Sequence, residues 1–277
     1  MRGSPAIVVA VGVAVFSLVS GPAVAALRCF GVPATIVGSA QSEFLDGTPG
    51  ADVVVALGGN DRVDGEGGAD RICGGTGRDT LVGVAGTDRI AGGGGADLVV
   101  GSQGSDLLIG GGGEDTLAGE TGNDDLLGGG GRDVLNGGPG GDQFEGGPDP
   151  DYASFSRGGP VVVDLAAGTA VGQGADTLDG IENLLGSDGS DRLGGDQGAN
   201  VMFAGLGNDI IEGLEGHDEL VGEAGDDDVA GDQGPDFLFG RQGDDDLFGN
   251  GGDDRAAGGP HVTGDVCEAE FESGCEL

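Results

Sequence analysis

One beat runs through most of this chain. Every ninth residue from Ile36 to Ala153 is apolar, and from Val54 onward an aspartate stands two places before each. Residues 47–154 divide without insertion into twelve nine-residue units, such as GGTGRDTLV at Gly74–Val82 and GGGGEDTLA at Gly110–Ala118. Eight more units fill residues 186–257. Across the twenty units the sixth place is Asp nineteen times, with Asn200 the exception, although Asp supplies only 35 of 277 residues. A register this strict limits the chain to a stack of like units, each leaning on its neighbours.

Composition excludes the usual alternative of one large globular core. With 67 glycines, one tyrosine and no tryptophan, bulky side chains are scarce, and glycine raises the backbone entropy lost on ordering. Apolar burial alone is therefore a weak source of order. The net charge of −38, with all eleven basic residues arginine, would suit a solvated acidic tail. A tail needs no register, so the strict spacing argues against that. Phosphate and anionic headgroups are repelled by such a charge, which makes nucleic acid and bare membranes poor partners.

Within a unit, glycine at places one and four permits turn conformations closed to other residues. The last three places read as a short strand, with the eighth side chain inward and its neighbours outward. One apolar residue in nine cannot close a core, but stacked units set those residues in a continuous file. Helix is disfavoured, because the apolar spacing is nine and glycine interrupts every turn.

Six segments follow from the register. Residues 1–25 read as an export signal: Arg2, an apolar run from Ala6 to Val19, then Ala23-Val24-Ala25 as a cleavage site. Residues 26–46 form an N-terminal cap with a degenerate unit, Gly38–Asp46, that keeps Leu45 but carries Glu43 at the sixth place. Residues 47–154 are the first array. Residues 155–185 break the register and form a connector with a strand candidate, Val161–Leu165, while 186–257 are the second array and 258–277 a tail. Export permits disulfides: Cys267 and Cys275 are close enough to close a small loop, Cys29 and Cys73 remain as the other pair, and other pairings stay open. These spacings match no zinc pattern.

Stacking sets identical places about 4.8 Å apart, the strand spacing of a sheet. The sixth-place carboxylates then stand in columns, and two charges at about 5 Å repel by roughly 3 kcal/mol at an effective dielectric of 20. Such columns call for cations. Calcium accepts six or more oxygens in flexible geometry, whereas magnesium demands a tight octahedron, and zinc or copper would want nitrogen or sulfur.

The pattern GGxGxDxUx resembles the RTX, or haemolysin-type, calcium-binding nonapeptide; the handful of departures includes Asn200, and Asp149 between Pro148 and Pro150. The resemblance implies an all-β fold, a right-handed parallel β-roll in which two units make one coil and calcium sits between turns of neighbouring coils. It implies as ligands Asp52, Asp61, Asp70, Asp79, Asp88, Asp97, Asp106, Asp115, Asp124, Asp133, Asp142, Asp151, Asp191, Asp209, Asp218, Asp227, Asp236, Asp245 and Asp254, together with glycine-turn carbonyls. Units two apart would share an ion, so that Asp52 pairs with Asp70 and Asp61 with Asp79. On that arrangement the chain holds about sixteen calcium ions, whose roughly 32 positive charges nearly cancel its own. Asn200 and the turn at Asp149 mark weaker sites.

Catalytic signatures are missing: there is no H-E-x-x-H, no G-x-S-x-G, no lysine, and the histidines are His217 and His261 alone. The expectation is a secreted calcium-binding protein and not an enzyme, with a secreted hydrolase or toxin-related protein as the alternative. On the second array Phe203, Phe237 and Phe239 point outward with Val201 and Val221. That face either packs on other parts of the chain or serves self-association.

Overall fold

The computed structural model describes residues 27–156, 158–259, 266–269 and 271–273. The export signal, residues 1–25, lies outside them. Every regular element among the described residues is a β-strand, as glycine frequency and the nine-residue period require.

The described chain forms two compact units, one running to Gly137 and including Glu145–Asp149, the other comprising Gly138–Phe144 and the residues from Pro150 onward. In the first unit, alternate nonapeptides contribute to two parallel sheets. One is ordered Phe44–Thr48, Arg62–Glu66, Thr80–Ala85, Leu98–Gln103, Thr116–Thr121 and Val134–Asn136. The other is ordered Ile36–Val37, Val53–Gly58, Arg71–Thr76, Arg89–Gly94, Leu107–Gly112 and Asp125–Gly130. In this register Val99 lies between Leu81 and Leu117, each eighteen residues away. Two nonapeptides therefore complete one coil of a parallel β-roll.

The inward file is dry. Val54, Ile72, Ile90, Leu108 and Leu126 on one sheet, and Val63, Leu81, Val99, Leu117 and Leu135 on the other, are all fully buried. In the second unit Leu184, Met202, Leu220 and Leu238 face Leu193, Ile211, Val229 and Leu247, again with no exposure. Each coil thus supplies one large side chain from each sheet, and neither is covered without the coils above and below.

Strands run longer than the three places that the sequence suggests. Leu107–Gly112 covers the last three places of one nonapeptide and the first three of the next, and its buried residues are Leu108 and Gly110. The reason is that the first-place glycine is itself inward, beside the carboxylate of its own unit. It is glycine for want of room: its φ is ordinary, while the fourth-place glycines, such as Gly77 at 125° and Gly95 at 126°, occupy the left-handed region.

Two further features frame the arrays. Near the N-terminus the antiparallel pair Arg28–Cys29 and Val32–Pro33 packs on Val53 and Val55, and Cys29 is joined to Cys73 with Cα atoms 5.8 Å apart. Cys267 is also disulfide-bonded; Cys275, the expected partner, lies outside the described residues. In the second unit, residues 155–185 contain an antiparallel excursion in which Val162–Asp164, Thr169–Val171 and Ala175–Asp179 pair in sequence. Val162–Asp164 then rejoins the parallel ladder at Arg192–Gly194.

Candidate metal centre

The strands fix the sixth-place side chains at the coil edges, and all nineteen aspartates named above are buried, the most exposed being Asp52 at 8%. Their two oxygens have different fates. From Asp70 to Asp133 one oxygen of each carboxylate accepts the backbone N–H of the sixth-place residue one coil earlier: Asp70 Oδ1 from Asp52 at 2.7 Å, Asp79 from Asp61 at 2.8 Å, Asp97 from Asp79 at 2.8 Å. The second unit repeats this, with Asp209 accepting from Asp191 at 2.7 Å and Asp236 from Asp218 at 2.9 Å. The structure therefore joins residues eighteen apart, the same pairs that the resemblance assigns to shared ions.

The other oxygen is the informative one. Oδ2 of Asp61, Asp70, Asp79, Asp88, Asp97, Asp106, Asp115, Asp209, Asp218, Asp227 and Asp236 is buried and accepts no hydrogen bond. Burying a carboxylate oxygen without a donor costs on the order of 1–3 kcal/mol or more. What surrounds it are other acceptors. A Cβ placed on Gly65 would stand 2.7 Å from Asp70 Oδ2, 2.8 Å from the carbonyl oxygen of Gly83 and 3.3 Å from that of Val82. At Gly110 the corresponding oxygens are Asp115 Oδ2 at 2.5 Å and Gly128 O at 2.6 Å. Converging acceptors without a donor fit a hard cation.

At the sixth place held by Asn200 the amide oxygen takes the position of Oδ2: a Cβ on Gly195 would stand 2.5 Å from it, and it accepts the Asp196 N–H at 3.0 Å. The amide nitrogen takes the place of Oδ1 and donates to the carbonyl of Glu182, one coil earlier, at 2.7 Å and to Asp196 Oδ1 at 3.3 Å. No cluster of three or more His, Cys, Asp or Glu side chains occurs among the described residues. The oxygens that converge are single carboxylates with backbone carbonyls, which suits calcium and lacks the nitrogen and sulfur that zinc or copper would use.

Sequence reasoning missed two members of the carboxylate series. Asp176 Oδ1 accepts the N–H of Asp142 at 3.0 Å, and Glu182 Oε2 accepts that of Asp151 at 3.0 Å. Both lie in the connector at separations of 34 and 31 residues, so a search at multiples of nine passes over them. The local signal was present: each stands two places before a leucine, Leu178 and Leu184.

Burial pushes many of the sixth-place aspartates up from the ordinary 3.8. It carries Asp70, Asp97, Asp106 and Asp209 to about 6 and Asp218 and Asp227 to about 7; the N–H bonds from the preceding coil oppose the shift, and neighbouring carboxylates add to it. Asp79, Asp88 and Asp115 shift the same way for the same leading cause. The sign follows from linkage. Between 3.8 and about 7 the folded, ion-free chain binds more protons than the unfolded one, so its stability falls as pH rises through that window. Demetallated protein in metal-free buffer is expected to gain β-structure as the pH is lowered from about 7 to about 5, read by far-UV circular dichroism. A β signal that instead declines on acidification would contradict the assignment of buried, unpaired carboxylates.

The outward aromatic face is less exposed than its position suggests. Val221, flanked in register by Phe203 and Phe239, is 1% exposed. Arg241 lies 5.2 Å over the Phe239 ring, and Arg255 5.4 Å over Phe237.

The model of the RTX calcium-binding nonapeptide repeat matches residues 46–81, 82–117 and 118–153, and then overlapping stretches from 176 to 256. The chain belongs to that family. Its all-β roll of parallel stacked coils is the architecture that the RTX resemblance implies, and it is a calcium-binding repeat protein. Among curated proteins no relative matches it. The family matches begin again at residue 176, ten residues ahead of the second array, and so take in Asp176 and Glu182.

Proposed function

We propose that this RTX chain is a secreted protein whose arrays become ordered when calcium binds, and that the ordered form is its product: an extracellular structural, buffering or adhesive element with no catalytic centre. The observation that carries this reading is the series of buried Oδ2 atoms without a donor, several of them, such as those of Asp70, Asp79 and Asp115, beside carbonyl oxygens of the next coil. A bound calcium ion supplies positive charge to oxygens that otherwise repel. The chain's own part is to present one carboxylate oxygen per nonapeptide in register and to hold the other on the preceding coil.

Secretion accords with the expected export signal and with the Cys29–Cys73 disulfide, which suits an oxidising compartment. Low cytosolic calcium would leave the chain unfolded until export. The alternative, a hydrolase or toxin-related protein using the repeats as a folding module, lacks a recognisable catalytic constellation in the sequence.

Titration calorimetry on the full chain tests the reading. Calcium is expected to bind with a stoichiometry of many ions per chain, and magnesium at equal concentration to bind far more weakly, because its small octahedron suits neither a carbonyl-lined turn nor loss of its waters. Equal binding of both ions, or of neither, would refute calcium-specific assembly.

A further inference from the structure

The sixth-place carboxylates fall into two classes that the sequence motif does not distinguish. The second place of the nonapeptide separates them. In most units that residue has a left-handed φ even when it is not glycine: Leu57 81°, Glu66 65°, Val84 79°, Ser102 82° and Glu120 69° in the first array, and Leu214 76°, Glu223 78° and Arg241 84° in the second. Left-handed backbone is costly for any side chain and most of all for a β-branched one such as Val84. In these open turns the second-place N–H is directed at the next coil, as Gly129 N–H donates to the Gly146 carbonyl at 2.8 Å.

Four turns are built differently. Thr48 donates its N–H to Asp52 Oδ2 at 2.7 Å and its hydroxyl to the same atom at 2.8 Å. Ser187 donates its N–H to Asp191 Oδ2 at 2.6 Å and its hydroxyl to Oδ1 at 2.8 Å. Ser39 does the same for Glu43, at 2.8 and 2.7 Å, and Asp196 N–H reaches Asn200 Oδ1 at 3.0 Å. None of these second-place residues has a positive φ. In these closed turns the peptide N–H occupies the carboxylate oxygen that the open turns leave bare.

Position in the stack, not the hydroxyl, separates the classes. Ser102 sits at the second place and is open, in register between Val84 and Glu120, which are open too. The closed turns are the degenerate unit and the first unit of the first array, and the first two units of the second array. Two consecutive units make one coil. Each array therefore starts with one coil closed on both edges; beneath that coil in the second unit lies the connector, Val162–Asp164 under Arg192–Gly194 and Asn183–Leu185 under Val201–Leu206.

Building on the calcium reading above, we infer that these two starting coils take no calcium: the side chains of Glu43, Asp52, Asp191 and Asn200 are satisfied by the protein, and the ion columns begin one coil later, at Asp61 and Asp70 and at Asp209 and Asp218. A cation beside Asp52 or Asp191 would face the positive ends of an N–H and an O–H and would have to displace both. The left-handed strain at Leu57, Glu66 and Leu214 then marks the turns in which that oxygen is kept for an ion.

Bound calcium per chain, measured by equilibrium dialysis and atomic absorption on the full protein, tests this. Asp70→Asn and Asp209→Asn are each expected to lower the count by about one ion, while Asp52→Asn and Asp191→Asn leave the parent count unchanged, with folding in excess calcium checked by circular dichroism. Loss of an ion from a folded Asp52→Asn or Asp191→Asn chain overturns the inference. Anomalous scattering from crystals of the unmutated, calcium-loaded chain reads the same question without substitutions. Peaks beside Asp70 and Asp209 with none beside Asp52 and Asp191 support it, and a peak at either of the latter overturns it. A parent chain that binds no calcium overturns the calcium reading itself, and this inference with it.

Discussion

Stripping calcium from the purified chain is expected to abolish its β-sheet circular dichroism and to raise its hydrodynamic radius about twofold, in line with the expansion of an unfolded chain over a folded one. Restoring calcium should reverse both. The physical ground is the imbalance of the metal-free fold. Carboxylates one coil apart repel by about 3 kcal/mol per pair at an effective dielectric of 20, and their second oxygens are buried with no donor. Against this stands a single file of apolar side chains on each sheet. Those side chains are too few to order a sequence with 67 glycines. The loss should be cooperative within an array, because each coil buries its apolar residues only against its neighbours. The disulfide Cys29–Cys73 ties only the N-terminal coils, so oxidised protein should expand in chelator as well. A chain that keeps its spectrum and radius after complete demetallation would remove the mechanism.

The second large effect is expected from one methyl group. A Cβ at Gly110 would stand 2.5 Å from Asp115 Oδ2 and 2.6 Å from the carbonyl oxygen of Gly128, whereas a Cβ at Gly112 meets nothing within 4 Å and needs no left-handed φ. Gly110→Ala therefore fills the space where the oxygens converge and forces carboxylate and coil apart. Overpacking of this kind costs about 1–3 kcal/mol, and the ion held at that turn should be lost with it. Gly112→Ala lowers the entropy of the unfolded chain at a compatible site and should stabilise by roughly 0.4–1 kcal/mol. Calcium titrations of the two variants, two residues apart, are the measurement: the midpoint should rise for Gly110→Ala and stay level or fall for Gly112→Ala. Equal midpoints would show that the first-place glycine is not a wall of the site.

Much of this was legible because the period is so strict. A nine-residue beat with an apolar eighth place leaves the register of Val63, Leu81 and Val99 no freedom, and the structure buries each completely. The aspartates two places earlier are carried to the coil edges by the same geometry. Legibility failed where the spacing did. Asp176 and Glu182 enter the carboxylate series from the connector, because an antiparallel excursion inserts extra chain and still returns a D-x-L or E-x-L step to the correct edge.

The sequence by itself determined which residues turn inward, which form strands and which carry charge to the edge, since these follow from periodicity and from the size and polarity of side chains. Tertiary stacking decided the rest. Whether a second-place residue is left-handed follows the place of its coil in the stack, so Ser102 and Ser187, alike in their own nonapeptides, adopt opposite turns. The difference lies in contacts eighteen residues away, and those decide which carboxylate oxygens the protein satisfies and which it leaves to a cation.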